Sequence, residues 1–118
     1  MTITPAGVKE WRNADGRLHR SIDPAYIDGD YMAWCANGGY HRIGAPARIW
    51  GDGDHEWYVN NKRHRLDGPS IDCEGHQWWY IDGVRYYNFK DFQAAGKLTD
   101  DEITMLILKY GEMVDKEL

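Results

Sequence analysis

The chain has 118 residues, 42% of them hydrophobic and 14% aromatic, which suits one domain with a small core and is too little for two. Fourteen Lys and Arg stand against nineteen Asp and Glu, and the net charge of −5 argues against DNA, RNA and anionic membranes as partners. No stretch approaches a membrane span, and the opening MTITPAGVKEW lacks an apolar core of signal-peptide length, so a cytoplasmic protein is expected.

From about residue 11 to residue 87 the chain repeats itself. His-Arg pairs stand at His19-Arg20, His41-Arg42 and His64-Arg65, spaced by 22 and then 23 positions. Three residues before each His comes Gly16, Gly38 or Asn61, and five after it comes Pro24, Pro46 or Pro69. Trp34 and Trp57 lie seven residues before the second and third His, and Trp79 precedes Tyr86 by the same interval, so a fourth copy ends in Tyr86-Tyr87.

The turn residues define each unit. Asp15-Gly16, Asn37-Gly38, Asn60-Asn61 and Asp82-Gly83 tolerate the positive φ that type I′ hairpins require, and Asp28-Gly29, Asp52-Gly53 and Glu74-Gly75 turn the chain back between them. The expected fold is therefore mainly β, a meander of antiparallel hairpins with about seven strands. Alternation puts Trp34, Ala36, Trp57, Val59, Trp79 and Ile81 on one face, with Cys35, Tyr58, Trp78 and Tyr80 on the other.

Gly68-Pro69 should break the strand that follows KRHR, because proline offers no ladder donor. The His-Arg pairs then recur two strands apart, about 9.6 Å, too far for one zinc ion whose ligands each sit about 2 Å away. No metal and no cofactor are expected. Cys35 and Cys73 fall in different repeat registers and read as reduced packing residues.

After the repeats the periodicity becomes helical. NFKDFQAAG reads as a short helix with Asn88 as N-cap and Gly96 as stop. Thr99 and Glu102 form a capping-box pair ahead of ITMLILKYGEMVDKEL, where Ile103, Leu106, Ile107, Tyr110 and Val114 make one apolar stripe. Met105 and Leu108 fall off the stripe and are either further core or an exposed contact patch. Gly111 either ends this helix at Tyr110 or is passed through. Residues 88–118 are expected to cap the repeat array within a single domain.

The segments WCANGGYHRIGAPA and WYVNNKRHRLDGPS, with their aromatic, turn, His-Arg and Gly-Pro elements, resemble the MORN-like variant repeats of bacteriophage and other viral accessory proteins. The resemblance covers about residues 11–87. It implies β-hairpins stacked into a curved sheet and a role in binding proteins or lipids, with bacterial relatives associated with toxin neutralisation. It further implies action in the host cytoplasm on host machinery or host defence, by occlusion of a host protein.

For catalysis the sequence offers no G-x-S-x-G elbow, P-loop, H-E-x-x-H helix or dinucleotide fingerprint. His55, beside Asp54 and Glu56 in GDGDHEW, reads as part of a polar hairpin turn, so no catalytic residue is predicted. Binding is the expected class. Tyr58, Trp78 and Tyr80, with Arg48 and Arg65, have the composition of a docking surface for a protein partner from host or phage. A second reading is a nucleotide or glycan stacked on that aromatic face. A third is self-assembly into a homo-oligomer through sheet edges or the Met105 and Leu108 patch.

Overall fold

The computed structural model describes residues 1–114, with side chains as far as Gly111. The chain is mainly β, built of antiparallel hairpins and followed by two helices. It divides into two compact units between Lys62 and Arg63. The change from hairpins to helices comes at Asn88, the N-cap of α1 (Phe89–Gly96), where the sequence places it. The observed division falls earlier because the last repeats share a core with the helices.

The first unit carries β1 (Thr2–Ile3), β2 (Lys9–Glu10), β3 (Tyr26–Asp28), β4 (Tyr31–Ala33), β5 (Cys35–Ala36), β6 (Gly39–Tyr40), β7 (Arg48–Ile49), β8 (His55–Glu56) and β9 (Tyr58–Val59). The unit boundary falls within β10 (Lys62–Arg63). These are shorter and more numerous than the expected strands, because the chain changes partner midway. β4 pairs with β7 whereas β5, one residue further on, pairs with β6. Trp34 sits at the switch, its N–H donating to the Ala47 carbonyl and its own carbonyl accepting from His41.

The second unit carries β11 (Ile71–Cys73), β12 (His76–Ile81) and β13 (Val84–Tyr86), then α1 (Phe89–Gly96) and α2 (Asp100–Val114). Here β12 is continuous and pairs with β11 along its first half and β13 along its second. Its odd residues, Trp79 and Ile81, are buried with Phe89, Phe92 and Leu106, and Trp79 meets the Phe92 ring edge-on at 4.9 Å. Trp78 points the other way and is exposed. The helices thus cover the tryptophan stripe in this unit.

The turns follow the expected chemistry. Asn37-Gly38, Asn60-Asn61 and Asp82-Gly83 have positive φ at both positions, whereas at Asp15-Gly16 only the glycine does. The tying of one repeat to the next uses the His-Arg pair. The backbone N–H of Asn37 donates to His19 Nδ1 (3.1 Å), that of Asn60 to His41 Nδ1 (3.0 Å) and that of Asp82 to His64 Nδ1 (3.0 Å). Each arginine turns to its own strand end, where Nη1 donates to a proline carbonyl four residues on: Arg20 to Pro24, Arg42 to Pro46, Arg65 to Pro69. Arg20 and Arg42 also stack on Trp11 and Trp34, at 4.0 and 3.7 Å.

Gly68 is needed for closeness. A Cβ there would stand 2.6 Å from both the Arg65 guanidinium carbon and the Tyr110 hydroxyl. The helix caps are as expected: Asn88 Oδ1 accepts from the Asp91 N–H, and Thr99 and Glu102 each accept from the other's backbone N–H. At the end of α1 it is Lys97 that adopts the left-handed conformation, one residue past the expected stop. Tyr110 leaves helical geometry (φ −125°, ψ 28°), so α2 kinks there and continues through Gly111. Val114 of the expected stripe has its side chain, and residues 115–118 their whole course, outside the described residues. Ile103 and Tyr110 pack on the core, Leu106 is buried in it, and Ile107, Met105 and Leu108 are exposed.

Two stability outcomes follow. Phe92→Ala removes a ring with no solvent exposure from the centre of the second unit's core and should cost about 3–5 kcal/mol. Urea unfolding measures it, and a cost under about 1 kcal/mol would show that α1 is peripheral to the core. His41→Leu keeps bulk and removes the acceptor of the Asn60 N–H. It should cost about 1 kcal/mol in the same assay, and an unchanged midpoint would mean that water replaces the imidazole without loss.

Candidate binding site

The first unit holds a groove of about 400 Å³ walled by Tyr26, Tyr31, Tyr40, Arg48 and Trp50. Sheet register builds it. Glu10, Tyr26, Ala33, Arg48 and Glu56 stand side by side across β2, β3, β4, β7 and β8. Ala33, only 2% exposed, is the low point between Tyr26 and Arg48, and Cys35 continues the floor. Asp28 and Tyr31 are paired two residues along the strands, and Trp50 closes that end.

Arg48 is the centre of the groove. Its Nε donates to the Tyr31 hydroxyl oxygen at 2.9 Å, its Nη1 lies 3.6 Å from Glu56, and the Glu56 carboxylate accepts from the Tyr58 hydroxyl at 2.7 Å. The guanidinium also lies over the rings of Tyr40 (4.6 Å), Trp50 (4.7 Å) and Tyr31 (5.6 Å). Burial pushes the Tyr31 hydroxyl up to about 12, against the lowering influence of Arg48. Burial alone would lower the Arg48 guanidinium, but the bond to Tyr31 and the charges of Tyr31, Tyr40 and Glu56 outweigh it and raise it. Burial raises the Cys35 thiol, which makes it a poor nucleophile.

The five residues proposed from sequence divide between the units. Arg48 is half-buried in the groove, and Tyr58 is 8% exposed, packed against Tyr40 and hydrogen-bonded to Glu56. Arg65 is also 8% exposed, committed to Asp67 and the Pro69 carbonyl. Neither Tyr58 nor Arg65 offers an open side chain, because Tyr58 packs on Tyr40 of the preceding repeat and Arg65 closes on its own strand end. Trp78 and Tyr80 remain accessible in the second unit, where Arg85 lies over Trp78 (5.5 Å) and Tyr87 (4.6 Å), and Arg63 over Tyr80 (5.4 Å). Sequence reasoning missed Tyr26, Tyr31, Tyr40 and Trp50. The available signal was their position: seven residues after each His stand Tyr26, Arg48 and Ile71, and nine after it Asp28, Trp50 and Cys73, so the groove occupies places where the copies differ.

Other features are simpler. GDGD, residues 51–54, lies in the hairpin turn between β7 and β8, where the Asp54 N–H donates to Asp52 Oδ1, and His55 and Glu56 form β8. Among the described residues no three His, Cys, Asp or Glu side chains come together as metal ligands, and both cysteines are free. Among the same residues no helix is long and apolar enough to cross a membrane. In the second unit a groove of about 370 Å³ runs between Leu66 and the Met105 side of α2.

Compared with protein-family profiles, with curated proteins and with solved structures, the chain finds no match.

The Tyr31 hydroxyl supplies a direct check on the groove. Its folded value lies above the ordinary 10, so its contribution to stability is complete below pH 10 and is lost as pH rises toward about 12. Phenolate absorbance titrations of the native chain and Tyr31→Phe should differ by one equivalent appearing near pH 12. A difference appearing near pH 10 would show the hydroxyl to be solvated.

Proposed function

We propose that this protein is a non-catalytic binding module that docks a protein partner in the Arg48 groove of its first unit. The observation that carries the reading is the division of labour within the repeat. The constant His, Arg and Pro positions are committed to joining and closing the strands, whereas the groove is made of residues that change from copy to copy. Tyrosine, tryptophan and arginine are the side chains that dominate protein–protein affinity when clustered in a partly desolvated pocket. The resemblance to repeats of viral accessory proteins supports a narrower version, a phage protein in the host cytoplasm that occludes a host protein, including one used in defence.

The groove's volume also suits a stacked nucleotide or glycan, which is the second reading. The exposure of Met105 (64%) and Leu108 (76%) on α2 favours self-assembly as the third.

The test is affinity capture from a bacterial host lysate, followed by affinity measurement with the purified captured protein. Arg48→Ala and Trp50→Ala should each weaken that complex by about thirtyfold or more, equivalent to about 2 kcal/mol, while circular dichroism shows the fold intact. Equal affinity of both variants would sink the reading. So would saturation of the groove by a nucleotide or glycan alone.

A further inference from the structure

We infer that the segment of the partner received by this groove is basic, with an arginine or lysine side chain entering between the rings of Tyr31 and Trp50 and the carboxylates at their turns. The inference rests on the binding-module reading above and adds the chemistry of the occupant. Three observations converge on it. The rings that wall the groove already accept a guanidinium, since Arg48 lies within 4.6–5.6 Å of three of them. The charge of Arg48 is met by Glu56 at 3.6 Å, so the groove does not present a lone cation to an incoming group. Its one lining carboxylate is Asp28, and two more stand in the adjoining turns, Asp30 directly before Tyr31 and Asp52 two residues after Trp50.

Those three carboxylates are exposed and form no ion pair among the described residues. The two turns that carry them are adjacent, for the Asp30 side chain lies where a Cβ on Gly51 would stand, 2.5 Å from the Asp30 Cβ. A cation entering here would meet an aromatic face on one side and carboxylates on the other, the pairing that cation–π and ion-pair attraction both favour. An acidic segment would meet three like charges and only a neutralised arginine.

The experiment uses the full chain, labelled with nitrogen-15, and two probes, a decapeptide of alternating glycine and arginine and one of alternating glycine and glutamate. Of the six indole N–H signals, that of Trp50 is assigned with Trp50→Phe. The arginine peptide should shift this signal saturably and the glutamate peptide should not. Asp28→Asn, Asp30→Asn and Asp52→Asn together, all at exposed positions, should weaken the arginine peptide at least tenfold. The inference is overturned if the glutamate peptide binds as well or better, if neither peptide moves the signal, or if the triple variant binds the arginine peptide unchanged. A captured protein that still depends on Trp50 after any of those outcomes would leave the binding-module reading standing and remove only the basic occupant.

Discussion

The structure depends on one hydrogen bond, made three times, between an imidazole and the backbone of the following hairpin turn. Strands of two or three residues have too few ladder bonds to hold register unaided. The turn that each histidine grips begins with a residue at positive φ, Asn37, Asn60 or Asp82. Acceptance at Nδ1 puts the imidazole proton on Nε2 and fixes the ring's orientation. The neighbouring arginine works within its own repeat, closing on the proline carbonyl of its own strand end. A histidine that reaches the following turn makes each repeat's position depend on its neighbour, which is how stability is transmitted in repeat arrays, while the arginine four residues before each proline closes its own strand end.

That commitment has a functional consequence. A His-Arg pair beside Asp, Gly and Pro looks chemically equipped, yet Arg65 Nε and Nη1 and His64 Nδ1 are engaged within the fold. Chemistry that is free to act must come from elsewhere. The first unit supplies it where Ala33 replaces a large side chain and opens a depression between Tyr26 and Arg48. Glu10, Glu56 and Trp78 occupy the corresponding place, immediately before the tryptophan or its equivalent, in the other copies.

Much of this fold was legible in the sequence because its signals are local. The Asn-Gly and Asp-Gly pairs announce their turns through the φ values they tolerate, and Asn88, Thr99 and Glu102 announce the helix starts through side chains that reach only three residues. The alternation along HQWWYI separated Trp79 from Trp78 correctly. The groove was hidden because it depends on a row of residues drawn from five strands, and a row is defined by register. The burial of Tyr58 and Arg65 is not legible in the sequence for a related reason. Alternation assigns a side chain to a face without telling whether a neighbour such as Tyr40, or the chain's own Asp67 and Pro69, already covers it.

Arginine stacked on aromatic rings recurs in both units, and its effect on binding is energetic as well as compositional. An arginine free in solvent loses about 2 kcal/mol of rotamer freedom when a partner immobilises it. Arg48 is already held by Tyr31, Glu56 and three rings, and Arg85 by Trp78 and Tyr87. The rings are held in return, Tyr31 against Trp50 at 5.3 Å and against Tyr26 at 5.9 Å. Such surfaces meet a partner with most of their side-chain ordering complete, so the contacts they form contribute more fully to affinity. On the proposed reading, the contacts that order the groove's side chains also lower the cost of recognition.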